Sequence, residues 1–122
     1  MGVFKVLKSE TGHVFHLVAA NGENIGTSQV YASKENCLIG VESVRTNADA
    51  HVEDQTVSGS ESLANPKFEI FIDKGKEHFR FHLKAHNGEI ILASQAYTSK
   101  ESCKGGIDSV GVNAPEAAIV EE

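Results

Sequence analysis

Arginine is nearly missing from this sequence. Arg45 and Arg80 are the only two in 122 residues, no run of basic residues occurs, and the formal charge is −6. Nucleic-acid binding needs cations clustered along a phosphate backbone, so no nucleic-acid partner is expected. An anionic membrane surface is disfavoured for the same reason. Long apolar runs are missing too. No stretch approaches the ~18 apolar residues of a membrane span, and the N-terminal MGVFKVLKSETG lacks the apolar core of a secretion signal. A cytoplasmic location, with no membrane partner, is the default expectation. Two cysteines, Cys37 and Cys103, are too few for a secreted disulfide framework. Neither HEXXH nor a paired CxxC occurs, and the glycines of GENIG and KGG match neither a P-loop nor a dinucleotide fingerprint. No cofactor is expected.

What the sequence does contain, it contains twice. NGENIGTSQVYASKEN, starting at Asn21, returns as NGEIILASQAYTSKES at Asn87, a shift of 66 positions. Over residues 15–48 and 81–114 the shift is constant, and about 20 of 34 positions are identical. Upstream the register slips, because FKV at Phe4 best matches FEI at Phe68. Between the copies lies QTVSGSESLANP, polar and rich in Ser, with Gly and Pro, which reads as a linker. The expected organisation is a first repeat at 1–54, a linker at 55–66 and a second repeat at 67–122, together one pseudo-symmetric domain.

Each copy reads as β-β-β-α-β. Phe4–Lys8 and Phe68–Ile72 suit first strands, followed by turns at Thr11-Gly12 and Lys74-Gly75. Val14–Ala19 and Phe79–Ala85 suit second strands; Phe79, Phe81, Leu83 and Ala85 alternate with His78, Arg80, His82 and Lys84, the period of a half-buried strand. Asn21-Gly22 and Asn87-Gly88 suit tight hairpin turns, and third strands return through Ile25 and Ile91. Ser33 and Ser99 stand as helix N-caps. Cys37, Val41 and Val44, like Cys103, Ile107 and Val110, fall on one helical face. Asn47 and Asn113 suit left-handed helix ends. Last strands are expected near Ala50–Glu53 and Ala117–Val120. A two-residue Asn-Gly turn would set Leu83 opposite Leu92, Ala85 opposite Ile90 and Leu17 opposite Gly26. A three-residue turn would bury Ile25 and Ile91 instead, since a one-residue slip inverts the faces. The Leu83–Leu92 pairing favours the shorter turn.

The run FRFHLKAHNGEIILASQAYTSKESCKGGIDSV resembles the signature of the YegP-like family; FHLVAANGENIGTSQVYASKENCLIGVESV resembles it less closely, with Val18 and Gly26 off the pattern. The resemblance implies an α+β fold in which two β-β-β-α-β repeats share one antiparallel sheet, with the helices on one face and the C-terminal strands exchanged between repeats. It implies no activity. Pairing also has a physical reason. One copy of roughly 55 residues has a marginal core, and one helix on three strands leaves sheet edges open. A monomer with an internal pseudo-dimer is the expected state.

Candidate chemistry is sparse. His78, His82 and His86 invite a metal site, but residues four apart on a strand lie about 13 Å apart, while zinc ligands lie ~2 Å from the ion. Solvated side chains on a sheet face fit better. Cys37 and Cys103 fall on the buried helical face, where cysteine acts as a small hydrophobe. Gly40 and Gly106 sit mid-helix at a cost of ~1 kcal/mol each against alanine, which points to close contact with the sheet or the other helix. The sets Ser28-Gln29-x-Tyr31 and Ser94-Gln95-x-Tyr97 end a strand just before a helix start, where an anion or carbonyl could bind. Ser28, Tyr31, Ser94 and Tyr97 are therefore the candidate ligand-binding residues, against a bland alternative of packed tyrosines and capping serines. No nucleophile–base–orienter set can be assembled, so an enzyme is disfavoured. A non-catalytic interaction module leads, and a small-molecule-binding module built on the Ser/Tyr sets is the alternative. The partner, protein or small molecule, stays unnamed at this level.

Overall fold

The computed structural model describes residues 2–73, 75 and 77–122. The expected turn at Lys74-Gly75 includes Lys74, which lies outside the described residues. Eight strands and two helices follow in the order β1 (Val3–Lys8), β2 (His13–Val18), β3 (Asn24–Thr27), α1 (Lys34–Asn47), β4 (Val52–Asp54), β5 (Lys67–Ile72), β6 (Phe79–Lys84), β7 (Ile90–Ser94), α2 (Lys100–Asn113) and β8 (Ala118–Glu121). The strands form one sheet in the order β4-β5-β6-β7-β3-β2-β1-β8. The fold is α+β, but the sheet is mixed and not purely antiparallel as expected. β4 runs parallel to β5, and β8 parallel to β1. The reason is placement: each helix returns the chain antiparallel to the third strand of its own copy, but at the outer edge of the other copy, beside a first strand that already runs the same way.

One row of paired residues crosses the sheet: Val120, Lys5, His16, Thr27, Ala93, His82, Glu69 and Glu53. Paired residues share a face, and their chain neighbours point the other way. The opposite face therefore carries Phe4, Phe15 and Leu17 from one half and Phe68, Phe81 and Leu83 from the other. All are at most 1% exposed and belong to one core with Cys37, Val41, Val44, Cys103 and Val110 of the helices. Aromatic packing repeats along with the sequence. Phe4 meets Phe15 edge-on with centroids 5.7 Å apart, and Phe68 meets Phe81 edge-on at 5.8 Å.

The two halves meet at β3 and β7, where Thr27 pairs with Ala93. These positions correspond to each other under the 66-residue shift, so a local two-fold axis passes between them. Near that axis the copies differ: Leu92 occupies the place that Gly26 holds in the first copy. A Cβ on Gly26 would stand 2.7 Å from Leu92 Cγ and 3.1 Å from the Ala93 carbonyl oxygen. Glycine here makes room for the leucine of the other half.

The hairpin register combines both turn readings. Ala85 N–H donates to the Glu89 carbonyl and Gly88 N–H to the Ala85 carbonyl, so the loop has three residues, with Gly88 at φ 86°. Lys84 then pairs with Ile90, but a bulge follows and Leu83 pairs with Leu92. Ile91 is the extra residue. The first copy does the same with Gly22 at φ 90° and Ile25 between the pairs Val18–Asn24 and Leu17–Gly26. The bulge restores the expected Leu83–Leu92 and Leu17–Gly26 pairs. It also buries Ile25 and Ile91, at 4% and 3% exposure. The expected Ala85–Ile90 pair does not form.

Ser33 and Ser99 cap the helices, accepting from Asn36 N–H and Ser102 N–H at 3.1 Å each. Asn47 and Asn113 are not left-handed ends. Each is the last helical residue and donates its side-chain amide back to a carbonyl four residues earlier, Ser43 or Ser109, at 2.9 Å. That bond holds the asparagine side chain against its own last turn, and Ala48 continues right-handed at φ −62°.

The segment between the halves is anchored on the sheet face away from the helices. Glu53 there accepts from Lys67 Nζ at 2.8 Å and from the Leu63 amide at 2.6 Å, and Lys67 also donates to the Leu63 carbonyl. Gln55 bridges Glu53 and Glu69, and Lys84 reaches Glu69 at 3.2 Å. The Lys67 ammonium and its fellow donors hold the Glu53 carboxyl down at about 2, and Glu53 in turn raises Lys67 above the ordinary lysine value.

Candidate functional site

Tyr31 and Tyr97 are placed by backbone pairing just beyond the third strands. Tyr31 exchanges both backbone hydrogen bonds with His13, and Tyr97 does so with Phe79, at 2.8 Å each. Each ring then stacks on the core phenylalanine of its own half, Tyr31 on Phe15 at 6.3 Å and Tyr97 on Phe81 at 6.4 Å. The hydroxyls end over the helices, against Gly40 and Gly106. A Cβ on Gly40 would collide with the Tyr31 hydroxyl oxygen and stand 2.7 Å from Cζ; on Gly106 it would meet Tyr97 in the same way. The mid-helix glycines are thus explained by close approach of a tyrosine from the sheet.

Ser28 and Ser94 have a different position. Each is buried, accepts a backbone N–H across the sheet (Phe15 or Phe81, 2.9 Å) and donates to the following carbonyl, of Gln29 or Gln95. Their hydroxyls are spent on the frame. They hold the strand end from which the tyrosine is hung.

Beside each tyrosine lies a cleft. The first, of about 320 Å³, is lined by Gln29, Tyr31, Gly40 and Ser43 of one half and by Ala85, Glu89 and Ile91 of the other. The second, of about 420 Å³, is lined by Gln95, Tyr97, Gly106 and Ser109, with Glu23 and Ile25 from the opposite half. Each cleft therefore lies between the helix of one copy and the Asn-Gly hairpin of the other. Sequence reasoning found the tyrosines, their glutamines and the glycines separately. It missed Glu23 and Glu89, which lie 74 residues before and 58 after the tyrosines they face and share no periodicity with them. The only signal was their recurrence in both copies.

The electrostatics are mild. Burial pushes both tyrosine hydroxyls above their ordinary value, with the adjacent Gln29 or Gln95 amide pulling the other way and the facing Glu89 or Glu23 adding to the rise. A phenol held protonated is a hydrogen-bonding group here, able to donate and to accept, and not a nucleophile. Cys37 and Cys103 are free and fully buried; burial raises both, Cys103 to about 11. A thiol so raised is a core side chain and not an activated nucleophile. His16 and His82 are lowered, chiefly by burial, and His16 Nδ1 lies 2.8 Å from Thr27 Oγ1 on the face away from the clefts. Among the described residues no three His, Cys, Asp or Glu side chains gather as metal ligands, and no helix is long and apolar enough to cross a membrane.

A family model described as a domain of unknown function, DUF1508, matches residues 9–54 and 75–121. The UPF0339 protein in the ptx operon 5′ region of Stutzerimonas stutzeri is 37% identical over 98% of this chain and 96% of its own length. A UPF0339 protein of Treponema denticola is 58% identical over 55 residues, which cover 45% of this chain but 93% of that protein. The solution NMR structure of YegP from Escherichia coli, titled a protein of unknown function, superposes with a TM-score of 0.80 and 33% identity, covering 99% of this chain and 92% of that one.

Proposed function

The chain belongs to the YegP-like DUF1508 family, whose fold brings no activity with it, and from that premise we propose that it is a non-catalytic binding module offering two pseudo-equivalent clefts to a small ligand. The observation that carries this reading is where the two copies agree. Eight of the ten residues lining the first cleft recur unchanged 66 positions away, and six of those line the second cleft at matching places. Packing explains a recurring Ala, Gly or Ile. It does not explain the exposed pairs Gln29/Gln95 and Glu23/Glu89, since exposed side chains tolerate change at about ±0.5 kcal/mol. Tyr31 and Tyr97 are the binding hydroxyls, and Ser28 and Ser94 position them.

The reading includes the organisation of the chain. Residues 1–54 and 67–122 are two repeats of one domain, joined by 55–66, and each gives its last strand to the other's first. Support comes from the pairings β4–β5 and β8–β1 and from the pairing of the equivalent residues Thr27 and Ala93. A cleft is complete only when both repeats are present. The Treponema relative, spanning about one repeat, would complete its clefts by pairing with a second copy of itself.

A protein-interaction module is the second reading, favoured by Ile39 and Val112, apolar helix residues 62% and 75% exposed. Tyr31→Phe and Tyr97→Phe separate binding from packing. A metabolite mixture read by ligand-observed NMR should show binding to the native chain that weakens in each variant and is lost in the pair, with stability lowered by no more than ~1 kcal/mol per hydroxyl. Undiminished binding with a lowered melting temperature would make these tyrosines structural and defeat the assignment.

A further inference from the structure

We propose that both clefts select a small organic cation, a primary ammonium on a short alkyl body. This rests on the binding reading above and gives it a chemical class. The walls carry oxygen acceptors, the Tyr31 hydroxyl, the Gln29 side-chain carbonyl, the Ser43 hydroxyl and the Glu89 carboxylate, beside the neutral amides of Asn36 and Asn87. The second cleft repeats them with Tyr97, Gln95, Ser109 and Glu23. No Lys, Arg or His lines either one, and among the described residues neither Glu23 nor Glu89 forms an ion pair. A carboxylate facing a phenol and an amide, with no cation to balance it, repels an anion and accepts from an ammonium, whose three N–H groups need three acceptors. The expectation of an anion at the helix start is thereby reversed: the clefts open on the flank of each helix, with a carboxylate on the facing wall. The apolar part of each cleft, Ile91 with Ala85 or Ile25, gives a short alkyl chain a surface to lie on. The volumes sit at the small end of the range for ligand pockets. The net charge of −6 adds a favourable long-range field.

The test uses the full chain, labelled for amide NMR, and three probes of one shape: n-pentylamine, n-pentanol and pentanoate. The amine should shift the amides of Gln29, Tyr31 and Glu89 and of Gln95, Tyr97 and Glu23. It should bind about fivefold more tightly than the alcohol, the contribution of a partly exposed ion pair, and the preference should weaken as salt is added. Glu89→Gln should remove the preference in the first cleft only, and Glu23→Gln in the second only. If pentanol or pentanoate matches the amine at these residues, the cationic class is wrong while the binding reading stands. If the amine shifts residues all over the surface, or shifts none at tens of millimolar, or if its preference survives both glutamine variants, the proposal is overturned. The binding reading is then decided separately by the tyrosine variants on the metabolite mixture.

Discussion

Gly26 and Leu92 are the same position in the two copies, and they share one space. Leu92 is fully buried, so Leu92→Ala should cost about 2–5 kcal/mol. Gly26→Ala places a Cβ 2.7 Å from Leu92 Cγ and 3.0 Å from its Cδ1, where ordinary contact begins near 3.4 Å. Leu92 cannot retreat without disturbing a packed core, an overpacking cost of ~1–3 kcal/mol. Removing a strand glycine returns about 0.5–1 kcal/mol, so the single change should destabilise by ~1–2 kcal/mol. In the Leu92→Ala background both clashing atoms are gone. The one remaining tight contact is the Ala93 carbonyl oxygen at 3.1 Å, which a shift of a few tenths of an ångström relieves, and the new methyl fills part of the cavity. Gly26→Ala should then be neutral or slightly stabilising, giving a favourable coupling of ~1–2 kcal/mol. Urea unfolding of the four proteins, with m values compared to check two-state behaviour, measures it. Additivity within ~0.5 kcal/mol would show that the two residues do not compete for this space and refute the argument.

Acid should loosen the linker. Glu53 is held down at about 2 by Lys67, Gln55 and the Leu63 amide, so its contribution is complete above the ordinary carboxylate value and is lost as pH falls from about 4.5 toward 2. The Leu63 amide resonance should titrate with a midpoint near 2, and a midpoint between 4 and 5 would contradict the latch. Residues 1–54 alone leave β1 without β8 and β4 without β5, so the fragment should be unfolded or dimeric. A cooperatively melting monomer in sedimentation would sink the shared-sheet account.

Local pattern carried most of the secondary structure. Ser33 and Ser99 were legible as caps because a cap is a contact three residues long. Phe79 to Ala85 was legible as a strand because alternation is a property of neighbours. The bulge at Ile25 and Ile91 was not. Two turn readings each buried part of the right set, and only the core, by demanding Leu83, Ile91 and Leu92 together, combined a three-residue loop with an extra residue. Asn47 and Asn113 misled for a related reason, since asparagine suits a left-handed end and a back-bonded one equally well.

The duplication and the order of elements are determined by the sequence itself, because repetition and periodicity are written along the chain, and a unit of about 55 residues has only a marginal core of its own. The parallel edges, the Gly26–Leu92 complementarity and the clefts exist only in three dimensions. Tyr31 meets Gly40 through a helix that turns back over its own sheet, and it meets Glu89 across the two-fold junction. Nothing local relates those residues. They come together because the two halves join edge to edge in one sheet under the helices and share one core, and the place where a helix flank meets a foreign hairpin is left over from that packing as a cleft, once on each side of the junction.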